Sequence, residues 1–566
     1  MSYKNYSVAV YCRVDDLVKI DDLEEFDRQF DFISRNIAVS KVYLETFRGG
    51  RIIDKEKMLR LKAFFNDKGF KTSGGITLEK DRGDVGFNGF CYTKKEDRRK
   101  VIELVEFTAG MFDEIILDDF YFTNCKCDEC IKAKGDMGWA EYRLKIKREF
   151  SKELVAAAKK VNPSVKLIIK YPNWYEHYQD CGYNLEDESA IFDSIYTGTE
   201  TRNPQYTQQH LPKYLSYFIM RYLENVKPGK NMGGWFDPYE CTYNLTSYAD
   251  QTYLTLFGKA RETSVFCLGS LLDRDYSLCV PLLGKLYENM DKVMGKLGNP
   301  VGTACYLPYH SKGENYLHNY IGMAGIPLEP YPYYPKDAKT IFLTEGAACD
   351  SKIIDKIEES LKSGADVIVT SGFLGKMQDK GFSSFTSAWL TDRKACVNRY
   401  AYSLNGTTFS GTAEAAQKVL LPQVEFSTNE TWELAGAFGE ENSFPILLKT
   451  TVSRGNLYIL TIPDDFGEIY HYPREILKMI RSVFLKKSPV MLDVKSKVTL
   501  YTYDNDTFVL RSFLPHVEPV DLIVKKPNAK LFDLETGEIR DGVTMNSETV
   551  FKLSLPPSVN RFYKIG

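Results

Sequence analysis

Residues Glu114 to Cys130 read EIILDDFYFTNCKCDEC, a buried-looking run that ends in two adjacent carboxylates and is followed by three cysteines spaced C-x-C-x-x-C. Two carboxylates held this close push their pKa values apart, so that one keeps a proton near neutrality while the other stays ionised. A proton donor to a glycosidic oxygen needs that raised pKa. The pair is expected to act as Asp119, the donor, and Asp118, its modulator; capping the next helix or pairing with an arginine is the alternative. The cysteines Cys125, Cys127 and Cys130 need a fourth thiolate for a tetrahedral structural zinc. Cys91, in FNGFCYTKKED, is the best placed, with Cys181 the alternative. Four thiolates close the metal to water, so no catalytic cofactor is expected.

Glycosidic chemistry needs a second carboxylate, as nucleophile or base. Glu200, in IYTGTETRNP, has Thr197 and Thr199 to orient it and Arg202 to keep it ionised. Asp237, in GGWFDPYE, is the competitor, and Glu200 is ranked ahead of it. Arg13, Glu45, Arg48, Lys170, Tyr171 and Arg202 are expected to bond sugar hydroxyls, or a carboxylate if the sugar is anionic. Trp174, Tyr175 and Trp235 offer flat faces for stacking.

These residues share one property: they stand at the ends of β-rich runs. Eight such runs, beginning at Ser7, Lys41, Phe70, Glu114, Val165, Phe192, Asn231 and Thr263, alternate with amphipathic helical stretches. That rhythm predicts a (β/α)8 barrel over residues 1–298. Reactive groups of such barrels lie where strands end and the following loops begin. Neighbours on a strand point to opposite faces, so one of Asp118 and Asp119 is expected to face the barrel axis and the other to flank it.

From Val301 the pattern becomes β-α-β, predicting an open flavodoxin-like or glutamine-amidotransferase-like domain over 299–488. An amidotransferase nucleophile would be a cysteine after DVIVTSG, where the chain has Thr370, Ser371 and Gly372. A structural role, in oligomerisation, is expected instead. Residues 489–566 alternate at period two between turn signals and predict a small antiparallel β-sandwich.

A net charge of -3 across 566 residues gives no electrostatic support for nucleic-acid binding. No apolar run approaches the roughly 18 residues of a membrane span. The N-terminus, MSYKNYSVAVYC, lacks the regions of a secretory signal, so the cytoplasm is expected unless a leader has been removed. The cysteines inside apolar runs suit buried thiols better than a disulfide framework.

The barrel with C-x-C-x-x-C after its fourth strand, a preceding loop cysteine, a flavodoxin-like middle domain and a C-terminal β-domain resembles glycoside hydrolase family 42, the β-galactosidase family. The resemblance implies zinc on Cys91, Cys125, Cys127 and Cys130, a trimer built by the middle domain, and a glycosidase acting from chain ends on oligosaccharides or glycans. The chain departs from the family at the fourth strand, where Asp118-Asp119 replaces Asn-Glu, and at the seventh, where Asp237 and Glu240 replace the nucleophilic Glu. An adjacent Asp pair also resembles the substrate-assisted hexosaminidases of family 84, in which the first Asp orients a 2-acetamido group. A non-catalytic carbohydrate-binding relative is the third reading; it would need the aromatics but no proton donor.

Overall fold

Each of the eight predicted runs meets one barrel strand, the last of which begins one residue before its run, and all eight pair in parallel. They are β1 (Ser7–Cys12), β2 (Lys41–Arg48), β3 (Lys71–Ile76), β4 (Glu114–Leu117), β5 (Lys166–Tyr171), β6 (Ser194–Gly198), β7 (Asn231–Phe236) and β8 (Glu262–Phe266). β1 pairs with both β2 and β8, which closes the ring. The computed structural model describes residues 2–81, 87–207, 209–242, 244–439 and 442–566. The barrel lies in a first compact unit, Met1–Gly295, and the rest of the chain in a second, Lys296–Gly566.

The strands are apolar on both faces because helices cover the outside and side chains fill the inside. The helix Lys95–Ala109, for example, buries Val101, Leu104 and Val105. Each such side chain contributes about 1.5–3 kcal/mol of burial. Inside, Ala9, Tyr11, Tyr43, Ile116, Ile168, Tyr196, Trp235 and Phe266 pack into one buried cluster. At the strand starts, Tyr43 and Tyr196 donate to Glu262 at 2.8 and 3.1 Å, and Lys41 pairs with Glu114. A satisfied polar network thus closes the end of the barrel opposite the predicted rim.

The second unit opens with five parallel strands, β9 (Thr303–Tyr306), β10 (Leu328–Tyr331), β11 (Thr340–Leu343), β12 (Asp366–Thr370) and β13 (Gly455–Leu460). Their order, β10-β9-β11-β12-β13, is the flavodoxin order. Four antiparallel strands between residues 389 and 452 extend the sheet beyond β13. At the turn after β12 the carboxylate of Glu314 receives the Thr370 hydroxyl at 2.5 Å and the Gly372 N–H at 3.2 Å. The chain's own side chain thereby fills the turn where a nucleophile would stand. Two antiparallel sheets follow, one including Val498–Tyr503, Thr507–Ser512 and Asn560–Ile565, the other Val490–Asp493, Glu518–Val524 and Glu548–Leu555. No described helix is long and apolar enough to cross a membrane.

Candidate active site and metal centre

The strand ends surround a cavity of about 590 Å³ lined by Arg13, Arg48, Asp118, Asp119, Lys170, Trp174, Glu200, Arg202, Trp235, Asp237 and Glu240, among others. Its centre is one ammonium group. Lys170 Nζ lies 2.7 Å from Asp119 Oδ2, 2.9 Å from Glu200 Oε1 and 3.3 Å from Asp118 Oδ1. It also stands 4.5 Å over the ring of Trp235. Buried among three carboxylates, Lys170 is held protonated well above the ordinary lysine range, their attraction outweighing the burial.

Both aspartates line the cavity, contrary to the alternation expected of strand neighbours. The reason is local: β4 stops pairing at Leu117, and the chain turns, with Tyr121 N–H donating to the Asp118 carbonyl at 3.1 Å. Asp118 lies deeper, and its carboxylate is fully committed. Oδ2 accepts from Arg48 at 2.9 Å, while Oδ1 accepts from the Asp119 N–H at 2.8 Å and from Lys170 at 3.3 Å; the Thr77 hydroxyl, 3.0 Å from Oδ2, has its closer acceptor in Glu45 at 2.5 Å. Although burial opposes it, these donors hold Asp118 down to about 2. Burial first, then the ionised Asp118 beside it, pushes Asp119 up to about 7. The pair thus divides into one fixed charge and one group able to carry a proton near neutrality.

Glu200 reaches the pocket because residue 198 is glycine: a Cβ there would come within 2.6 Å of Glu200 Oε2. Burial raises the Glu200 pKa, with Lys170 opposing and Asp237 adding to the rise. Asp237 has both oxygens held by Arg202, at 3.0 and 2.8 Å, and Oδ1 also accepts the Tyr239 N–H at 3.1 Å. Arg202 adopts a left-handed backbone, φ 50°, an uncommon conformation for a non-glycine residue.

Beside the pocket, one sulfur from each of Cys91, Cys125, Cys127 and Cys130 lies within 4.8 Å of the others. Cys91 Sγ stands 3.4 Å from Cys130 Sγ and 3.8 Å from Cys127 Sγ. These separations are far longer than a disulfide's roughly 2.05 Å. They are close to the about 3.8 Å edge of a tetrahedron with metal–sulfur bonds near 2.3 Å. Cys127 precedes the helix Asp128–Lys134, and the Cys130 N–H lowers its thiol to about 7. Such a thiol gives up its proton readily, as a thiolate ligand of a metal must. Cys181, the alternative, lies outside this group.

Residues 1–278 match the family model described as probable glycosyl hydrolase, catalytic domain. The barrel is a glycosyl-hydrolase-like catalytic domain. Residues 489–565 match the probable glycosyl hydrolase, C-terminal domain, and residues 298–465 the second domain of the uncharacterized protein SSO3021. That protein, from Saccharolobus solfataricus, is 25% identical over 524 residues, spanning 85% of this chain and 86% of its own. Two solved structures share the fold across almost their whole lengths. α-L-Fucosidase isoenzyme 2 from Paenibacillus thiaminolyticus is 13% identical with a TM-score of 0.69, covering 100% of this chain and 99% of that one. Gan42B, a GH42 β-galactosidase from G. stearothermophilus, is 10% identical with a TM-score of 0.67 and the same coverage. The architecture is that of the family 42 enzymes.

The glycosyl-hydrolase-like barrel brings most of the predicted residues to one cavity but turns three away. Glu45 is wholly buried below the floor, because β2 runs on to Arg48. Its carboxylate accepts from Tyr11 at 2.8 Å, the Val14 N–H at 2.8 Å and Arg48 at 3.1 Å. Gly75 makes room for Tyr11, whose hydroxyl would lie 2.6 Å from a Cβ there. Tyr171 follows inward-facing Lys170 and so points outward, packing on Tyr178 and Tyr183 with its hydroxyl 3.4 Å from Glu188. Tyr175 turns to the helix Leu215–Val226, against Phe218 and Tyr222. Neither tyrosine lines the cavity, and neither does Glu45. Conversely, Phe87, Phe120, Phe122, Asn173, Tyr206, Thr207, Gln209, Tyr239 and Phe266 line it without having been singled out. All nine lie in loops or at a strand end, where periodicity carries no signal. Phe120 and Phe122 alone had a clue, standing just after the aspartate pair.

Proposed function

We propose that the protein is a glycosidase that removes sugars from the ends of oligosaccharides or glycans, with Asp119 as proton donor, Asp118 as its modulator and Glu200 as the second carboxylate. What carries this reading is the placing of Asp119: a carboxyl whose burial and fixed aspartate neighbour push its pKa up, across a shared lysine from another carboxylate. Glu200 is preferred to Asp237 because Asp237 has both oxygens committed to Arg202. The facing oxygens of Asp119 and Glu200 can be no farther apart than the 2.7 and 2.9 Å legs to Lys170 laid end to end. We take the retaining course, in which the second carboxylate is the nucleophile. In the corresponding reaction Glu200 attacks the anomeric carbon while Asp119 protonates the departing oxygen. Asp119 then takes a proton from the water that frees the sugar.

A substrate-assisted mechanism needs Asp118 to hold an acetamido nitrogen, and Arg48, Lys170 and the Asp119 N–H already occupy its oxygens. A binding-only protein would have no use for the proton on Asp119. Cys91, Cys125, Cys127 and Cys130 would hold a structural zinc joining the loops after β3 and β4. By resemblance, the flavodoxin-like sheet assembles a homotrimer, which light scattering of the purified protein tests. The chemistry is tested with a panel of nitrophenyl glycosides that includes β-galactosides, α-L-fucosides, N-acetylated and acidic sugars. Turnover abolished in Asp119→Asn and Glu200→Gln supports the assignment. A panel without any turnover sinks it.

A further inference from the structure

Among the described residues, the two most exposed large aromatic side chains of the barrel stand at the same opening. Phe87 is 57% exposed and Tyr206 58%, and both line the carboxylate cavity. They come from the loops after β3 and β6, three positions apart in a ring of eight, and so flank the mouth from different sides. Neither is placed loosely. Phe87 meets Phe120 edge to face at 5.0 Å, and Phe120 directly follows Asp119. Tyr206 sits on a tight turn in which the N–H groups of residues 206 and 207 both donate to the Asn203 carbonyl at 3.0 Å, while the Asn203 side chain accepts from Gln205 N–H at 3.2 Å.

Leaving a ring in water forgoes its burial energy, so two rings fixed at one entrance invite a partner with a flat apolar face. The position says which part of a substrate that is. The barrel interior below the carboxylates is packed with side chains, so a terminal sugar occupies the inner part of the cavity and the group it is attached to lies toward the mouth. We propose that Phe87 and Tyr206 form an aglycone subsite that stacks on a flat-faced leaving group, an aryl ring or a second pyranose ring. The proposal rests on the glycosidase reading for the meaning of "leaving group", but the stacking itself is a binding property. Phe120 connects the two functions, since it touches the platform and adjoins the proton donor.

The test compares methyl, phenyl and glucosyl forms of β-D-galactose and α-L-fucose, with binding measured by calorimetry and turnover measured alongside. One aromatic contact of this kind changes affinity by roughly threefold to tenfold. The phenyl and glucosyl forms should therefore bind at least several-fold more tightly than the methyl form. Phe87→Ala and Tyr206→Ala should remove that advantage, raising KM with little change in kcat, whereas Tyr206→Phe, which keeps the ring, should retain it. The phenyl and glucosyl arms separate an aryl from a sugar partner. Equal binding of all three forms, or alanine variants that bind as the wild type does, overturns the subsite. Tighter binding of the phenyl form without any turnover leaves the subsite standing and overturns the glycosidase reading instead.

Discussion

Arg48 and Asp118, which both line the cavity, share an ion pair, with a guanidinium nitrogen 2.9 Å from Asp118 Oδ2. The same guanidinium also holds Glu45, whose carboxylate has no exposure at all. Removing Arg48 therefore strands two buried carboxylates at once. Arg48→Met should destabilise the protein by about 3–5 kcal/mol, read as a lower denaturant midpoint. Arg48→Lys, which keeps the charge but loses the fork, should cost less. An Arg48→Met midpoint equal to the wild type would show that the clamp contributes nothing.

The ionised Asp118 is part of what holds Asp119 up to about 7. A proton donor is active while it keeps its proton, so kcat/KM should fall as pH rises through about 7. Asp118→Asn removes the neighbouring charge, lowers the Asp119 pKa and moves this alkaline limb to lower pH. A limb that stays in place in the variant would assign it to another group.

Leaving-group dependence isolates the proton itself. Asp119→Asn should lose about 10²–10⁴-fold on natural glycosides, whose departing oxygen must be protonated. The loss on nitrophenyl glycosides should be much smaller. Equal losses on both kinds of substrate would argue that Asp119 does not act as the acid.

The two candidate second carboxylates differ in their partners, and this separates their variants. Glu200→Gln should lose on the order of 10³-fold or more on activated and unactivated substrates alike, with azide restoring turnover of an activated substrate. Asp237→Asn should act through Arg202, its bidentate partner, with a smaller loss and no azide effect. Reversed results would transfer the nucleophile to Asp237.

The four-cysteine cluster predicts a single zinc ion per chain by elemental analysis of protein prepared without chelator. Cys127→Ser should lower both metal content and thermal midpoint. Added zinc should not stimulate metal-loaded enzyme, because a closed site of four thiolates leaves no position for water. Metal-free protein of undiminished stability would remove the site.

The barrel was legible because each strand is apolar on both faces and each helix on one, so the chain changes period eight times. Asp118, Asp119, Lys170 and Glu200 were legible because they end such runs. Glu45 and Tyr171 misled for a physical reason: position near a strand end does not say on which layer or face a side chain sits. Strand length decided Glu45, and alternation decided Tyr171. Phe87 and Tyr206 were invisible, since a loop aromatic has no periodic neighbours to mark it. The four strands between residues 389 and 452 were not singled out in the sequence; several of their side chains stay exposed, as in Trp389–Tyr402, which weakens the alternating apolar pattern.

Among the described residues, the rings of Tyr11, Tyr43, Tyr196, Trp235 and Phe266 fill the barrel and leave no passage from end to end. Traffic is therefore two-way through a single door. On the proposed glycosidase reading, a freed sugar would have to leave by the opening through which the next substrate arrives, and while it lingered the door would be shut. Released monosaccharide should accordingly act as a competitive inhibitor, and turnover should slow as product builds up even when substrate remains plentiful.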